Sequence, residues 1–312
     1  MTPDSRLIFG GFTMRVTNQS TYEAIKYNLA QSAMDLVKAN KIVASGKRIN
    51  NLSDDPIGLV QVLSLRESLA NIDQMARNVS TARNWLDGGE TAIGSVKEII
   101  TDMKTLAIQM ANGTLGADER AAAAAQVEHA LEEIVSLGNS QVNDQFIFAG
   151  TKTDTKPFEL TTDAIGNQIV VYSGNHTPFT IKIGKNTTLE AGHDGEALFG
   201  NGASGIFKTL IDFKSSLEAN DVIGIEQAMD DLDTELNDMI SATSAIGTKG
   251  VRLDVKEKIL EDLKLTYTER RSQLEDADIL EAISDVKSRE TAYQAALASS
   301  AKVMRMSLVD YL

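Results

Sequence analysis

The sequence predicts a mainly α protein: a long helical rod whose N- and C-terminal helices pair as a coiled coil, with a small inserted β module at the tip. Three observations predict it. Tyr22, Ile25, Leu29, Leu36 and Val43 fall on alternating steps of three and four, and Ser32 and Ala39 complete the row. Tyr293, Leu297, Met304, Leu308 and Tyr311 recur at helical spacing, and this stripe runs on to Leu312. A chain end that finishes Ser307-Leu308-Val309-Asp310-Tyr311-Leu312 needs something to bury against, because termini ordinarily fray and tolerate polar residues. The third observation is an abrupt change to strand and turn composition after Gln145, with helical periodicity on both sides of it.

Taken in order, the first helix is expected over residues 18–45, stopped by Gly46. Ser53, Asp54 and Asp55 then supply N-cap oxygens and Pro56 suits a first helical position, so residues 45–56 connect to a second helix. In that helix Val62, Leu65, Leu69, Ile72, Ala76 and Val79 form one apolar row. After a phase slip, Leu86, Ile93, Val96, Ile100, Met103 and Met110 form another. A run of that length suits a rod better than a compact domain. Asn112-Gly113-Thr114-Leu115-Gly116 breaks it, and Thr114 or Asp118 caps a helix returning through 121–137.

Strands are expected at 169–172 and 180–183, separated by Gly174-Asn175 and closed by Gly184 and Gly192. A β module of about 50 residues without disulfide or metal is marginal alone and should lean on the helices that carry it. The glycine-rich stretch 200–205 reads as a hinge into helices from about 206 to 217 and from about 221 onward. Gly247 and Gly250 each cost about 1 kcal/mol inside a helix, so local propensity predicts a break or bend there. Val255, Ile259, Leu263, Tyr267 and Leu274 then resume the helical period. The expected domains are 14–55 with 275–312 (terminal coiled coil), 56–150 with 206–274 (helical rod) and 151–205 (β insertion). Residues 1–13 lack periodicity, precede a second methionine, Met14, and read as a leader.

The formal net charge of −14 sets the chain against phosphate backbones and anionic membrane surfaces, so neither nucleic acid nor membrane insertion is expected. No apolar run approaches a membrane span. The stretch Leu7-Ile8-Phe9-Gly10-Gly11-Phe12 is short for a signal-peptide core and lacks a small-residue cleavage site. With no cysteine, disulfides and thiol catalysis are excluded, a composition that suits a chain exported unfolded.

Catalytic, cofactor and metal sites are not predicted. His129, His176 and His193 lie on different elements without metal-ligand spacing and read as surface or hydrogen-bonded residues. Asp54-Asp55 and Glu275-Asp276-Ala277-Asp278 read as helix caps and solvated charge, and they are all that an acid/base or metal-dependent hydrolytic reading would have. The 200–205 stretch lacks the lysine and the strand-to-helix context of a phosphate loop. Trp85 reads as a packing residue.

Three tracts carry a resemblance. Ser45-Gly46-Lys47-Arg48-Ile49-Asn50 followed by Asp54-Asp55 resembles the N-terminal motif of the flagellin superfamily. Leu106-Ala107-Ile108-Gln109 with Ala111-Asn112-Gly113-Thr114 resembles its second motif, and Leu274-Glu275-Asp276-Ala277-Asp278 its third. Within the superfamily, the tract from Phe148-Ala149-Gly150-Thr151 to Pro157-Phe158 and the ending Ser307-Leu308-Val309-Asp310-Tyr311-Leu312 are similar to the flagellar hook-associated protein 3 branch.

The resemblance spans residues 14–312 and implies a flagellin-like, non-enzymatic structural subunit of the bacterial flagellum. It implies a ring of self-associated copies at the hook–filament junction, with hook-associated protein 1 and flagellin as neighbours. An export chaperone, passage through the flagellar type III channel and an extracellular location are implied with it. It further implies that the helix through Gly247 and Gly250 stays continuous, against the propensity reading. The assembly residues expected from the two terminal rows are Tyr22, Ile25, Leu29, Leu36, Val43, Tyr293, Leu297, Met304, Leu308, Tyr311 and Leu312. A minor filament flagellin is the alternative within structural proteins, and a receptor-binding role of residues 109–114 is compatible with either.

Overall fold

The computed structural model describes residues 18–163 and 167–309. Along the chain come α1 (Asn18–Ser45), α2 (Pro56–Met110), α3 (Ala117–Gly138), β1 (Gln141–Val142), β2 (Gln145–Phe146), β3 (Phe158–Thr162), β4 (Gln168–Tyr172), β5 (Thr180–Lys182), β6 (Thr188–Glu190), α4 (Gly195–Phe199), α5 (Gly205–Glu218), α6 (Val222–Glu275) and α7 (Ile279–Val309). The chain divides into two compact units, Met1–Leu69 with Thr266–Leu312, and Ala70–Leu265.

In the first unit α1 packs along α7. The Asp35–Arg289 ion pair (3.7 Å) and the antiparallel bridge between Lys47 and Asp276 set the two helices head to tail. On α1 the row Ile25, Leu29, Ser32, Leu36, Ala39, Val43 is half-buried or buried, as the alternating spacing predicts. On α7 the inward row is Ala282, Val286, Arg289, Tyr293, Ala296 and Ser300. Leu297 lies off that row and is 42% exposed. Half of that row is small (Ala282, Ala296, Ser300); of the sequence stripe's large residues Tyr293 lies in it and Leu297 does not.

In the second unit the ion pairs Lys104–Asp233, Arg83–Asp254 (2.6 Å), Arg83–Glu257 (3.0 Å) and Asp73–Lys264 (2.9 Å) step down α2 as they step up α6. The two helices therefore run antiparallel. On α2 one row, Ile72, Val79, Leu86, Ile93, Ile100 and Ala107, is buried at every seventh residue without interruption. The expected slip is confined to its companion row, and Ala76 is exposed rather than buried. On α6 the buried row is equally regular: Ile225, Leu232, Met239, Ile246, Leu253 and Leu260. Gly247 and Gly250 lie inside that 54-residue helix. The break expected from propensity is absent, because Ile246 and Leu253 on either side are anchored and packing outweighs about 2 kcal/mol of local cost.

Three two-stranded antiparallel sheets, β1–β2, β3–β4 and β5–β6, make up the strand portion. β4 and β5 match the expected strands to within a residue; β1, β2, β3 and β6 and the short α4 are additional to the sequence expectation. Asn143 and Asp144, with φ of 53° and 61°, make the two-residue turn of β1–β2. An aromatic cluster forms the core here: Phe158 sits 5.0 Å from Phe207, 5.1 Å from Tyr172 and 5.7 Å from Phe199. Asn139 closes α3 by donating to Val135 O and clamps Phe158 through its N–H and C=O, each at 2.9 Å. Trp85 packs on Phe179 at 5.0 Å, the packing role expected of it.

Two local expectations change. The cap of α3 is neither Thr114 nor Asp118 but Gly116, whose N–H donates to the Glu119 carboxylate at 3.0 Å. The 200–205 stretch is a closed turn rather than a hinge: Asn201 bridges Ser204, and Gly202 N–H donates to Val170 O at 2.8 Å.

Candidate assembly surface

The α1–α2 connector is held against the α6–α7 break by a charged node. Gly46 ends α1 at φ 68°, a left-handed conformation that glycine adopts without strain. Beyond it, Arg48 N–H donates to Glu275 O (2.8 Å) and Ala277 N–H to Gly46 O (2.9 Å). An Arg48 guanidinium N–H reaches Leu274 O at 2.8 Å. Glu275 is 2% exposed. Lys47 (2.5 Å) and Arg66 converge on one of its carboxylate oxygens, and Arg271 approaches the other at 4.0 Å.

Burial pushes the Glu275 carboxyl pKa up, but the Lys47 and Arg66 cations outweigh it and hold the group below its ordinary value. The sequence reads Glu275 as solvated charge; it is instead the buried member of the cluster, because the fold brings two cations to it from residues far away in sequence. Of the remaining carboxylates, Asp55 and Asp278 are caps, as predicted, whereas Asp276 accepts from the Ser272 hydroxyl at 2.6 Å and Asp54 closes the connector. Asp55 accepts from Gly58 N–H at 2.8 Å to open α2, and Asp278 accepts from Leu280 N–H at 2.9 Å to open α7. Asp54 accepts from Asn51 N–H at 2.9 Å and pairs with Lys38 at 3.0 Å.

The node fixes helices that leave apolar side chains uncovered. Tyr22, Tyr27, Met34 and Val37 are exposed on α1; Leu52, Ile57, Val60 and Leu63 on the connector and α2; and Ile279, Leu280, Ile283 and Leu297 on α7. Exposure reaches 75% at Ile57 and 82% at Leu280. Two open grooves lie among them. One of about 490 Å³ is lined by Met34, Val37, Lys41 and Asp54, and one of about 570 Å³ by Val60, Leu65, Arg270 and Leu274. Exposed apolar side chains on three helices of one unit are what a surface awaiting a partner presents.

Of the expected assembly residues, Ile25, Leu29, Leu36, Val43 and Tyr293 are half-buried in the α1–α7 pair, whereas Tyr22 is exposed. Met304 and Leu308 lie on α7 with side chains outside the described residues, and Tyr311 and Leu312 lie outside them altogether. Sequence reasoning does not single out Tyr27, Met34, Ile57, Val60 or Leu280. Tyr27 and Met34 stand seven apart, a second heptad row beside the first, and that spacing is the available signal.

Chemistry elsewhere is sparse. Among the described residues no group of three or more His, Asp and Glu side chains could hold a metal ion, and no helix is long and apolar enough to cross a membrane. His129 and His176 are exposed, the latter paired with Asp194 at 3.1 Å. His193 departs from the surface reading: it is largely enclosed, its Nε2 has no hydrogen-bond partner, and burial lowers its pKa to about 4.

Known proteins share this architecture. Residues 16–153 match the bacterial flagellin N-terminal helical region and residues 229–312 the bacterial flagellin C-terminal helical region. Flagellar hook-associated protein 3 of Salmonella typhimurium is 26% identical over 321 residues, spanning 95% of this chain and 98% of that protein. The chain belongs to the flagellin superfamily, in its hook-associated protein 3 branch. A flagellin of Listeria monocytogenes is 23% identical over 258 residues, with 80% of this chain and 82% of the relative covered. The crystal structure of flagellar hook-associated protein 3 from Legionella pneumophila superposes with a TM-score of 0.61 at 14% identity, over 68% of this chain and 98% of that one. At that identity the superposition speaks for the fold. In the superfamily's terms, the charged node joins the first and third motifs, since Lys47 and Arg48 of one meet Leu274 and Glu275 of the other.

Proposed function

We propose that this chain is a structural subunit of the bacterial flagellum that forms the hook–filament junction, as a ring of its own copies between hook-associated protein 1 and flagellin. The observation that carries the reading is the nearly end-to-end match to hook-associated protein 3, against the shorter match to filament flagellin. The apolar rows on α1, α2 and α7 are what an assembling subunit would keep uncovered until its neighbours arrive.

In this reading the terminal domain, 14–55 with 275–312, supplies the wall of the assembly through Tyr22, Ile25, Leu29, Leu36, Val43, Tyr293, Leu297, Met304, Leu308, Tyr311 and Leu312. The rod domain, 56–150 with 206–274, carries the β insertion 151–205 outward. Burial on incorporation makes completion of folding and assembly one event, without an enzymatic step. Export through the type III channel with a dedicated chaperone follows from the same reading, and the absence of cysteine suits it.

Immuno-electron microscopy of intact flagella tests the proposal. A label confined to a band at the base of the filament is expected. Label distributed along the filament would replace the junction reading with that of a minor flagellin.

A further inference from the structure

The chain holds two Asn-Gly pairs, Asn112-Gly113 and Asn201-Gly202, and the fold treats them oppositely. Both asparagines are in tight turns that accept a backbone N–H on Oδ1: from Thr114 at 3.1 Å in the first, from Ala203 at 2.8 Å in the second. The Gly202 N–H is spent on Val170 O at 2.8 Å, and the Asn201 amide nitrogen donates to Glu196. At Asn112, by contrast, Oδ1 accepts a second bond, from the Thr114 hydroxyl at 3.0 Å. Among the described residues no acceptor takes the Gly113 N–H or the Asn112 Nδ2, and Gly113 is exposed.

We propose that Asn112-Gly113 is a site of self-modification, at which the folded chain converts its own asparagine through a cyclic imide while Asn201-Gly202 is protected. The Gly113 nitrogen gives up its proton to hydroxide and bonds to Asn112 Cγ, and negative charge collects on Oδ1. The Thr114 N–H and O–H face that oxygen and stabilise it as the donors of an oxyanion hole do. The Cγ–Nδ2 bond then breaks, and nitrogen leaves as ammonia with a proton from water. Water opens the five-membered imide at either carbonyl, leaving an aspartyl or isoaspartyl residue. Overall one water is consumed and one ammonia released, with no change of oxidation state.

Opening at the backbone carbonyl gives the isoaspartyl product, whose free carboxylate is the former Asn112 C=O, and Arg120 already holds that oxygen. This buried guanidinium donates to Met110 O (2.9 Å) and Asn112 O (3.1 Å) and also bonds Asn220, so new negative charge meets a cation already held at the α2–α3 corner. The tract is part of the second superfamily motif, yet neither the assembly surface nor the node uses it.

Peptide mass spectrometry of the full chain, incubated folded in mildly alkaline buffer, tests the proposal, with isoaspartyl methyltransferase labelling as a second readout. Position 112 is expected to convert about tenfold or more faster than 201, a difference of about 1.4 kcal/mol in barrier. In denaturant the two rates should become equal, since the difference lies in the fold. A Cβ at Gly113 meets nothing within 4 Å, so Gly113→Ala should keep the fold and slow conversion about tenfold by shielding the attacking nitrogen. Thr114→Val, which removes one oxyanion donor, should slow it several-fold at unchanged circular dichroism. Equal rates at 112 and 201 in the folded chain, or conversion at 112 indifferent to Thr114→Val, would overturn the assignment.

Discussion

Two ionisable residues in the second unit oppose each other in pH. Burial lowers the His193 pKa from its ordinary 6.5 to about 4, so the unfolded chain binds the proton first as pH falls. Its contribution to stability is complete above pH 6.5 and is lost progressively toward pH 4, with a slope of up to about 1.4 kcal/mol per pH unit. Burial, with Asp238 and Asp231 adding to it, raises Glu235 from 4.5 to about 7. Here the folded state binds the proton more tightly, so stability is lost as pH rises from 4.5 through 7. Urea titrations of Glu235→Gln should therefore show stability climbing more steeply between about pH 4.5 and 6.5 than in the parent chain, and His193→Gln should show a shallower or inverted slope. Parallel curves for all three proteins would show that neither group titrates as its burial requires.

At the same scale, Glu275→Ala should destabilise the first unit by about 2 kcal/mol. This is less than the roughly 3–5 kcal/mol of breaking a fully buried pair, because Lys47 and Arg66 keep access to water. Hydrogen exchange localised to 46–55 and 275–280 is the measurement. For the folded carboxylate, held below its ordinary pKa, the same loss should appear in the parent chain as pH falls below about 4.5.

Helix α6 shows how an element outlasts its own weak points. A Cβ at Gly247 would meet nothing within 4 Å, and the residue lies on the exposed face between the anchored Ile246 and Leu253. Gly247→Ala should therefore raise stability by about 1 kcal/mol, through helix propensity and a less flexible unfolded chain. Gly46→Ala, at the end of α1, should do the reverse by about 1 kcal/mol, since φ of 68° strains any L side chain. Denaturant midpoints of the two variants should move in opposite directions; a shift of the same sign in both would contradict the assignment of one glycine to a helix interior and the other to a cap.

For the whole molecule, the exposed apolar rows separate stability from assembly. Leu280 is almost fully exposed, so Leu280→Asp should leave the isolated protein's stability within about 0.5 kcal/mol of the parent. In an assembly that covers this residue, a carboxylate without a partner is costly. The expected phenotype is a subunit that is exported and folded but leaks into the medium, with few filaments by electron microscopy. Deleting residues 308–312 should give the same phenotype. Normal filament counts with either variant would remove the α7 face and the chain end from the assembly surface.

The sequence by itself determined the helices whose signals are local. Heptad rows, Gly46, the Asp55-Pro56 start and the Asn112-Gly113 break placed α1, α2, α3 and α5 to within a few residues, since periodicity and capping are local properties. It also carried the three motifs of the superfamily. Tertiary structure alone decided what depends on distant partners. It kept α6 continuous through two glycines, because a seam anchored every seventh residue outweighs local propensity. It formed β3 and the aromatic cluster around Phe158, because Asn139 and Phe207 come from other elements. It buried Glu275, which reads as surface charge until Lys47 and Arg66 are brought to it from more than two hundred residues away in the chain. Burial is a property of what the fold places alongside a residue, and a single chain's local pattern does not contain it.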